Sequence, residues 1–378
     1  MIPEHRSDPG ARTQWQWPQD HDHCGHFLQI LGAALEGGST ISECFLTAAR
    51  ISPGDNESWY REWKTAADLN KERGDAARER DNICTAQNNW LRASNYYRAA
   101  GLFLELDDSR RLSTAESMRS CAQLHLGHKT PAGEIIRIPC GDDSSLQGYF
   151  LRAPASPNRA PVVVCVGGPT QCKEEYLWKM PRHALARGLS LLLVDLPGQD
   201  AVRRSGIAGR YDIEMAISGC LDYLITRDDV DERRIAIYGD GLGASFATRA
   251  AASDHRFAAA VCDGGLWDLH ERAYALAWIA GSNAEPVTKH QIEKLYRFGL
   301  AKRIKCPMLV TLGEIESAHI SEAAELVDFH KQAGLDIDLG IFAAAETAVS
   351  QLPIGGSPTD IEHVCDWIVS RLHENRST

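Results

Sequence analysis

The residues best placed to do chemistry lie in the run Ile235-Ala236-Ile237-Tyr238-Gly239-Asp240-Gly241-Leu242-Gly243-Ala244-Ser245. A short apolar run passes into Gly-x-x-x-Gly and then into helix-forming residues. Glycines at both ends suit a sharp turn in which neighbouring backbone comes close. Such a turn presents its middle residue at a helix N-terminus, where backbone N–H groups can hold an oxyanion. A serine in the middle would be an acyl-transfer nucleophile. The residue there is Gly241, which has no side chain to attack with. A phosphate loop is excluded because no Gly-Lys-Ser/Thr follows, and a dinucleotide fingerprint fits poorly because the segment lies deep in the chain and no acidic residue ends the next strand at the right place.

Three other segments belong with this one. Val162 to Val166 leads into Gly167-Gly168-Pro169 and on to Lys173-Glu174-Glu175, a Gly-Gly turn where an oxyanion loop belongs. Leu191 to Asp195 is followed by Leu196-Pro197-Gly198-Gln199-Asp200, and Leu309 to Leu312 by Gly313-Glu314-Ile315-Glu316.

The elements that must position these residues form two regions. Up to about residue 128 helix formers dominate, around Ser42–Ala49, Glu57–Arg80, Ala86–Glu105 and Arg110–Leu126, with Asp55 or Asn56 as an N-cap. From residue 129 to 378 the pattern changes. A hairpin is expected over Ile135–Pro139 and Leu146–Leu151, then buried strands at Val162–Val166, Ser190–Val194, Ile235–Tyr238, Ala258–Val261, Met308–Leu312 and Ile337–Phe342. Strand–loop–helix repetition predicts an α/β fold with a mostly parallel, doubly wound sheet, whose function gathers at the carboxyl ends of its strands. Residues 268 to about 303 read as a helical excursion near that edge, or as one crossover helix with a linker.

On these motifs the chain resembles the α/β-hydrolases of the 2,6-dihydroxypseudooxynicotine hydrolase and fermentation-respiration switch type, to which fungal polyketide-shortening hydrolases are similar. The resemblance extends through the helical region, in Glu57-Ser58-Trp59-Tyr60-Arg61-Glu62-Trp63 and Trp90-Leu91-Arg92-Ala93-Ser94-Asn95-Tyr96-Tyr97. It implies an α/β-hydrolase fold with a helical N-terminal domain over residues 1–128 that helps to cover the substrate pocket, and a Ser-Asp-His triad. At the three triad positions stand Gly241, Glu316 and Thr347, and no histidine occurs between His330 and His363. The loop residue expected to donate an oxyanion N–H corresponds to Pro169, which has none, a loss of roughly 3 kcal/mol to acyl transfer.

Non-hydrolytic acid/base catalysis on a keto or aromatic small molecule is therefore the first expectation: a cyclisation, dehydration or C–C lyase step. Asp240 and Glu316 are its candidate proton-transfer groups. A hydrolase that activates water with a carboxylate and a non-catalytic binding protein are the alternatives. Gly168, Pro169 and Leu242 are assigned to the oxyanion loop. Lys173, Glu175, Asp263 and Asp268 are candidate substrate-binding residues, though each could instead cap or order a neighbouring element. Ser245 reads as packing, and His319 as a helix-start histidine.

Composition narrows the partners. Net charge is −11, which disfavours nucleic acid. No stretch approaches the length of a membrane span, and the polar N-terminus points to a cytoplasmic protein. The 11 cysteines are scattered and read as free thiols. His21-Asp22-His23-Cys24-Gly25-His26 is expected in a loop, with a spacing that matches no zinc pattern. No metal or other cofactor is expected, and relatives suggest a possible homodimer.

Overall fold

The computed structural model describes residues 21–105, 107–140, 145–154, 159–168, 171–197, 199, 213–264, 303–313, 324, 327, 328, 331, 332, 334–342 and 358–374. Its N-terminal third is helical: α1 (His21–Gly32), α2 (Ile41–Ala48), α3 (Asn56–Glu79), α4 (Ile83–Gly101) and α5 (Arg110–Gly127). Asp55 caps α3 by accepting from the backbone of Glu57 and Ser58 at 3.0 and 3.1 Å. Trp59, Trp63, Trp90 and Tyr96 are fully buried between these helices, so the aromatic spacing seen in the sequence marks a core. Gly74 makes room for the Trp90 indole, which a Cβ there would meet at 2.6 Å.

One expectation is corrected here. The segment from His21 to His26 belongs to helix α1, not to a loop. Its His23 is buried, stacks on Trp59 and Phe103, and bonds Asn56 Oδ1 at 2.9 Å. Capturing an aromatic-lined slot for a histidine needs no metal, and no group of three potential ligands occurs among the described residues.

Beyond α5 the chain builds an eight-stranded sheet in the order β1-β2-β4-β3-β5-β6-β7-β8. These are β1 (Glu134–Pro139), β2 (Ser145–Leu151), β3 (Ala160–Val166), β4 (Ser190–Val194), β5 (Val230–Asp240), β6 (Ala259–Asp263), β7 (Met308–Gly313) and β8 (Ile337–Phe342). The first two strands are antiparallel and the rest parallel. All of β4 and β6 is buried, as continuous Leu-Leu-Leu-Val and Ala-Ala-Val-Cys runs require.

Helices cover both faces. On one, α8 (Ile213–Ile225) and α9 (Gly243–Ser253) pack on Val162, Val164, Ile235 and Ile237. On the other lie α6 (Tyr176–Lys179), α7 (Pro181–Ala186) and α10 (Pro358–Glu374), together with Leu91, Ala122 and Leu126 from the N-terminal helices. All 11 cysteines are free, and all but Cys84 are buried. No described helix is long and apolar enough to cross a membrane.

Candidate active site

The carboxyl ends of β3, β4, β5, β6 and β7 meet at one edge of the sheet. Strand β5 runs to Asp240, and Gly241 turns at φ +55° into α9. The flanking glycines are sterically obligatory. A Cβ on Gly239 would lie 2.2 Å from the Gly243 carbonyl oxygen, and one on Gly243 would lie 2.4 Å from that of Val166. At Gly241, by contrast, no atom of the described residues lies within 4 Å of the Cβ position. The turn is thus built to present a side chain that no described residue obstructs, and carries none.

The Gly-Gly loop lies against this turn. A Cβ on Gly168 would stand 3.0 Å from Leu242 Cβ and 3.5 Å from its backbone nitrogen, so the loop lies against the residue that follows Gly241. Two glutamines hold the loop. Gln199 Nε2 donates to the carbonyls of Gly167 and Gly168 at 2.9 and 2.7 Å. Gln171 Oε1 accepts from the Gly168 N–H at 2.6 Å.

Asp240 does not project over Gly241. Side chains alternate along a strand, and its carboxylate lies on the Tyr238 side, beneath α6 and only 2% exposed. There Asp240 Oδ2 accepts from Lys179 Nζ at 2.5 Å and Gln171 Nε2 at 2.8 Å. Burial lifts its carboxyl to about 6, with Lys179 pulling down and Asp263 pushing up. Burial also works against the Lys179 ammonium, but the two aspartates more than offset it and hold it above its ordinary value. Asp240, expected as a proton-transfer group, is thus enclosed with Lys179: a strand that buries Tyr238 must bury Asp240 on the same side.

Asp263 is equally enclosed, at 3% exposure. Its carbonyl accepts from the Gly241 N–H at 2.8 Å, and its carboxylate from Thr311 Oγ1 at 2.7 Å and from the Tyr238 hydroxyl. Lys179 Nζ stands 3.9 Å away. Asp263 therefore anchors the turn from below, in place of the substrate contact expected of it.

Lys173 is corrected in the same way. Its ammonium is 1% exposed and bridges Asp195 Oδ2 at 2.7 Å and Glu174 Oε1 at 2.9 Å. Its backbone N–H also donates to Asp195 Oδ1 at 2.7 Å, and Tyr149 donates to Glu174 at 2.8 Å. Glu175 caps the segment by accepting from the Cys172 N–H at 3.2 Å, and reaches Arg98 of α4 at 3.5 Å. Ser245 is buried in α9, consistent with packing. Strands β7 and β8 end at Gly313 and Phe342, at the Gly241 edge; Glu316 and Thr347 follow them, and these two, with Pro169, Asp268 and His319, lie outside the described residues.

Gln171, Lys179, Gln199 and Thr311 were not picked out from the sequence. One signal was there for Lys179: Asp240 and Asp263 end adjacent parallel strands, and two carboxylates side by side require a cation.

The sheet order, the crossing helices and the turn at Gly241 define an α/β-hydrolase fold. Among solved structures, 2,6-dihydroxy-pseudo-oxynicotine hydrolase is similar with a TM-score of 0.70 at 20% identity, covering 90% of this chain and 95% of the other. The protein AbyA5 is similar with a TM-score of 0.62 at 16% identity, covering 93% and 94%. The family model "Esterase FrsA-like" matches residues 51–272, and the chain belongs to that family. It is 34% identical over 259 residues to a 20-hydroxy-prefusarin hydrolase of Gibberella moniliformis, covering 65% of this chain and 61% of the relative. It is 33% identical over 277 residues to the hydrolase acrC of Aspergillus aculeatus, covering 68% and 64%. The chain thus spans under two thirds of the length of these relatives.

Proposed function

We propose that this protein is an α/β-hydrolase-fold enzyme of specialised-metabolite biosynthesis that works without a serine nucleophile. Its substrate is a small keto or aromatic molecule, and its reaction is a cyclisation, dehydration or C–C lyase step driven by acid/base chemistry. The observation that carries this reading is the turn itself. Gly239 and Gly243 are packed as a nucleophile turn demands, while the presenting position is a glycine that no described residue crowds. The name of the 20-hydroxy-prefusarin hydrolase of Gibberella moniliformis supports a small-molecule substrate. Glu316 is the group proposed to move protons to and from the substrate. Asp240, enclosed beneath the turn, acts through its neighbours. A small soluble substrate requires no cofactor in this scheme, and homodimer formation in the cytoplasm is part of the same proposal.

The first experiment is labelling with a fluorophosphonate, read by intact mass. The expected result is no adduct on the native protein. A stoichiometric adduct would mean that another serine has taken over and would overturn the reading. Gly241→Ser, run beside it, is expected to label slowly at most, because Thr347 stands where a general base is needed.

A second reading is favoured by the hydrolase names of the relatives. Here a carboxylate activates water directly. Turnover in 18O water separates the two: label in the product, lost with Glu316→Gln, supports hydrolysis, and product without label supports the first reading.

A further inference from the structure

Gln171 connects the buried ionic cluster to the oxyanion loop, and the direction of its amide can be deduced. A backbone N–H can only donate, so the atom facing Gly168 must be the carbonyl Oε1. The atom facing Asp240 is then Nε2, a donor, and Asp240 Oδ2 must accept from it. The same oxygen accepts from Lys179. Asp240 Oδ1, in contrast, has no hydrogen-bond partner among the described residues. Both donors thus converge on one carboxylate oxygen, and a proton arriving at this carboxyl has only Oδ1 to occupy.

The groups that face Asp240 come from five directions. Lys179 and Tyr176 come from α6 and Glu175 from the turn before it, Asp263 from β6, Tyr238 from β5 itself and Cys165 from β3. Lys179 is the one cation among these. It is shared between Asp240 and Asp263, so with both acids ionised the cluster holds an excess negative charge. The Tyr176 hydroxyl also lacks a partner among the described residues, and would stand 3.1 Å from a Cβ placed on Gly167. Burial keeps the Tyr176 hydroxyl protonated, so Asp240 Oδ1 is the orphan acceptor on which a proton can come and go.

We propose that Gln171 is a positioning residue that passes the ionisation state of Asp240 to Gly168, so that the oxyanion loop is set by a proton held beneath it. With Asp240 ionised, its charge strengthens the bond from Gln171 Nε2 and fixes Oε1 on the Gly168 N–H. With Asp240 neutral on Oδ1, that bond loses its charge assistance and the hold on Gly168 loosens. The cluster's raised carboxyl supports this, since its midpoint near 6 makes both forms accessible under mild conditions. The inference rests on the reading above only in taking the Gly241 edge as the active site.

The test is the Gly168 amide resonance followed with pH in deuterated protein. Pairwise 13C′/15N glycine labelling selects Gly-Gly amides, of which Gly167-Gly168 is one. The native signal is expected to move sigmoidally with a midpoint near 6. The shift should vanish in Asp240→Asn. Gln171→Met, which leaves the Lys179 pair in place and so guards against misfolding of the first variant, should also lose it. A Gly168 signal that stays flat in the native protein, or that still titrates in folded Gln171→Met, would overturn the proposal. Neither result depends on serine labelling, so failure here leaves the proposed reaction untouched, and an adduct there leaves this shift unaltered.

Discussion

Replacing Lys173 by methionine is expected to cost about 3–5 kcal/mol of stability, the range for stripping one partner from a buried ion cluster. The ammonium is 1% exposed, as is Asp195, and Glu174 is 2% exposed. Methionine matches the volume of lysine but leaves two carboxylates beside each other with no cation. In the native protein burial pushes Asp195 up, whereas Lys173 more than offsets burial at Glu174 and holds it down. Without Lys173 both acids will have raised folded-state values. The folded variant then binds more protons than the unfolded chain above the ordinary carboxylate range, so its stability falls as pH rises. The deficit against native should accordingly be smaller in mildly acidic buffer than in mildly alkaline buffer. Urea titrations in the two buffers check both size and sign. A deficit under about 1 kcal/mol, typical of an exposed pair, would refute the assignment of Lys173 to a closed cluster.

The second large effect concerns the turn. Gly239→Ala places a methyl 2.2 Å from the Gly243 carbonyl oxygen, 2.5 Å from its carbon and 2.8 Å from the Ala244 nitrogen. All three are backbone atoms, so relief requires α9 to move bodily away from β5. A loss at the upper end of the roughly 1–3 kcal/mol seen for overpacking is expected. Gly241→Ala is the matched control. Its methyl meets nothing within 4 Å among the described residues, and its expected penalty is that of the left-handed backbone at φ +55°, about 1–2 kcal/mol. Thermal melts of the two variants should therefore differ clearly in midpoint, with Gly239→Ala the lower. Equal midpoints would mean that the turn yields, and would remove the case that it survives as a preformed presenting device.

How far these features could be read beforehand depended on their range. The strand at Ser190–Val194 coincides with the observed one because a strand buried on both faces announces itself in consecutive apolar residues, whereas Ile337–Phe342, expected to be buried, forms a strand in which only Ile337 and Phe342 are enclosed, as its Asp338 and Gly340 allow. The turn at Gly241 was legible for a similar reason: glycine spacing is a local consequence of local crowding. The roles of Asp240, Asp263 and Lys173 were not. Each is decided by a partner distant in the chain, with Lys179 and Asp240 separated by 61 residues and Lys173 and Asp195 by 22. A carboxylate that serves a substrate and one that serves a buried lysine look alike in a string of letters. Helix α1 was missed because polar His21 to His26 masks the apolar face formed by Phe27 and Ile30 further along.

The shift in sequence texture near residue 128 also carries less weight for folding than it does for reading. Leu91 of α4 and Ala122 and Leu126 of α5 belong to the same apolar cluster as Tyr149, Val163, Leu191 and Tyr238 of the sheet. Arg98 of α4 meets Glu175 at the end of the oxyanion loop. The helices therefore complete one face of the hydrolase core. A boundary drawn there divides composition but not packing: the helical third and the sheet share one apolar cluster, and Arg98 ties that cluster's helices to the segment behind Gly168.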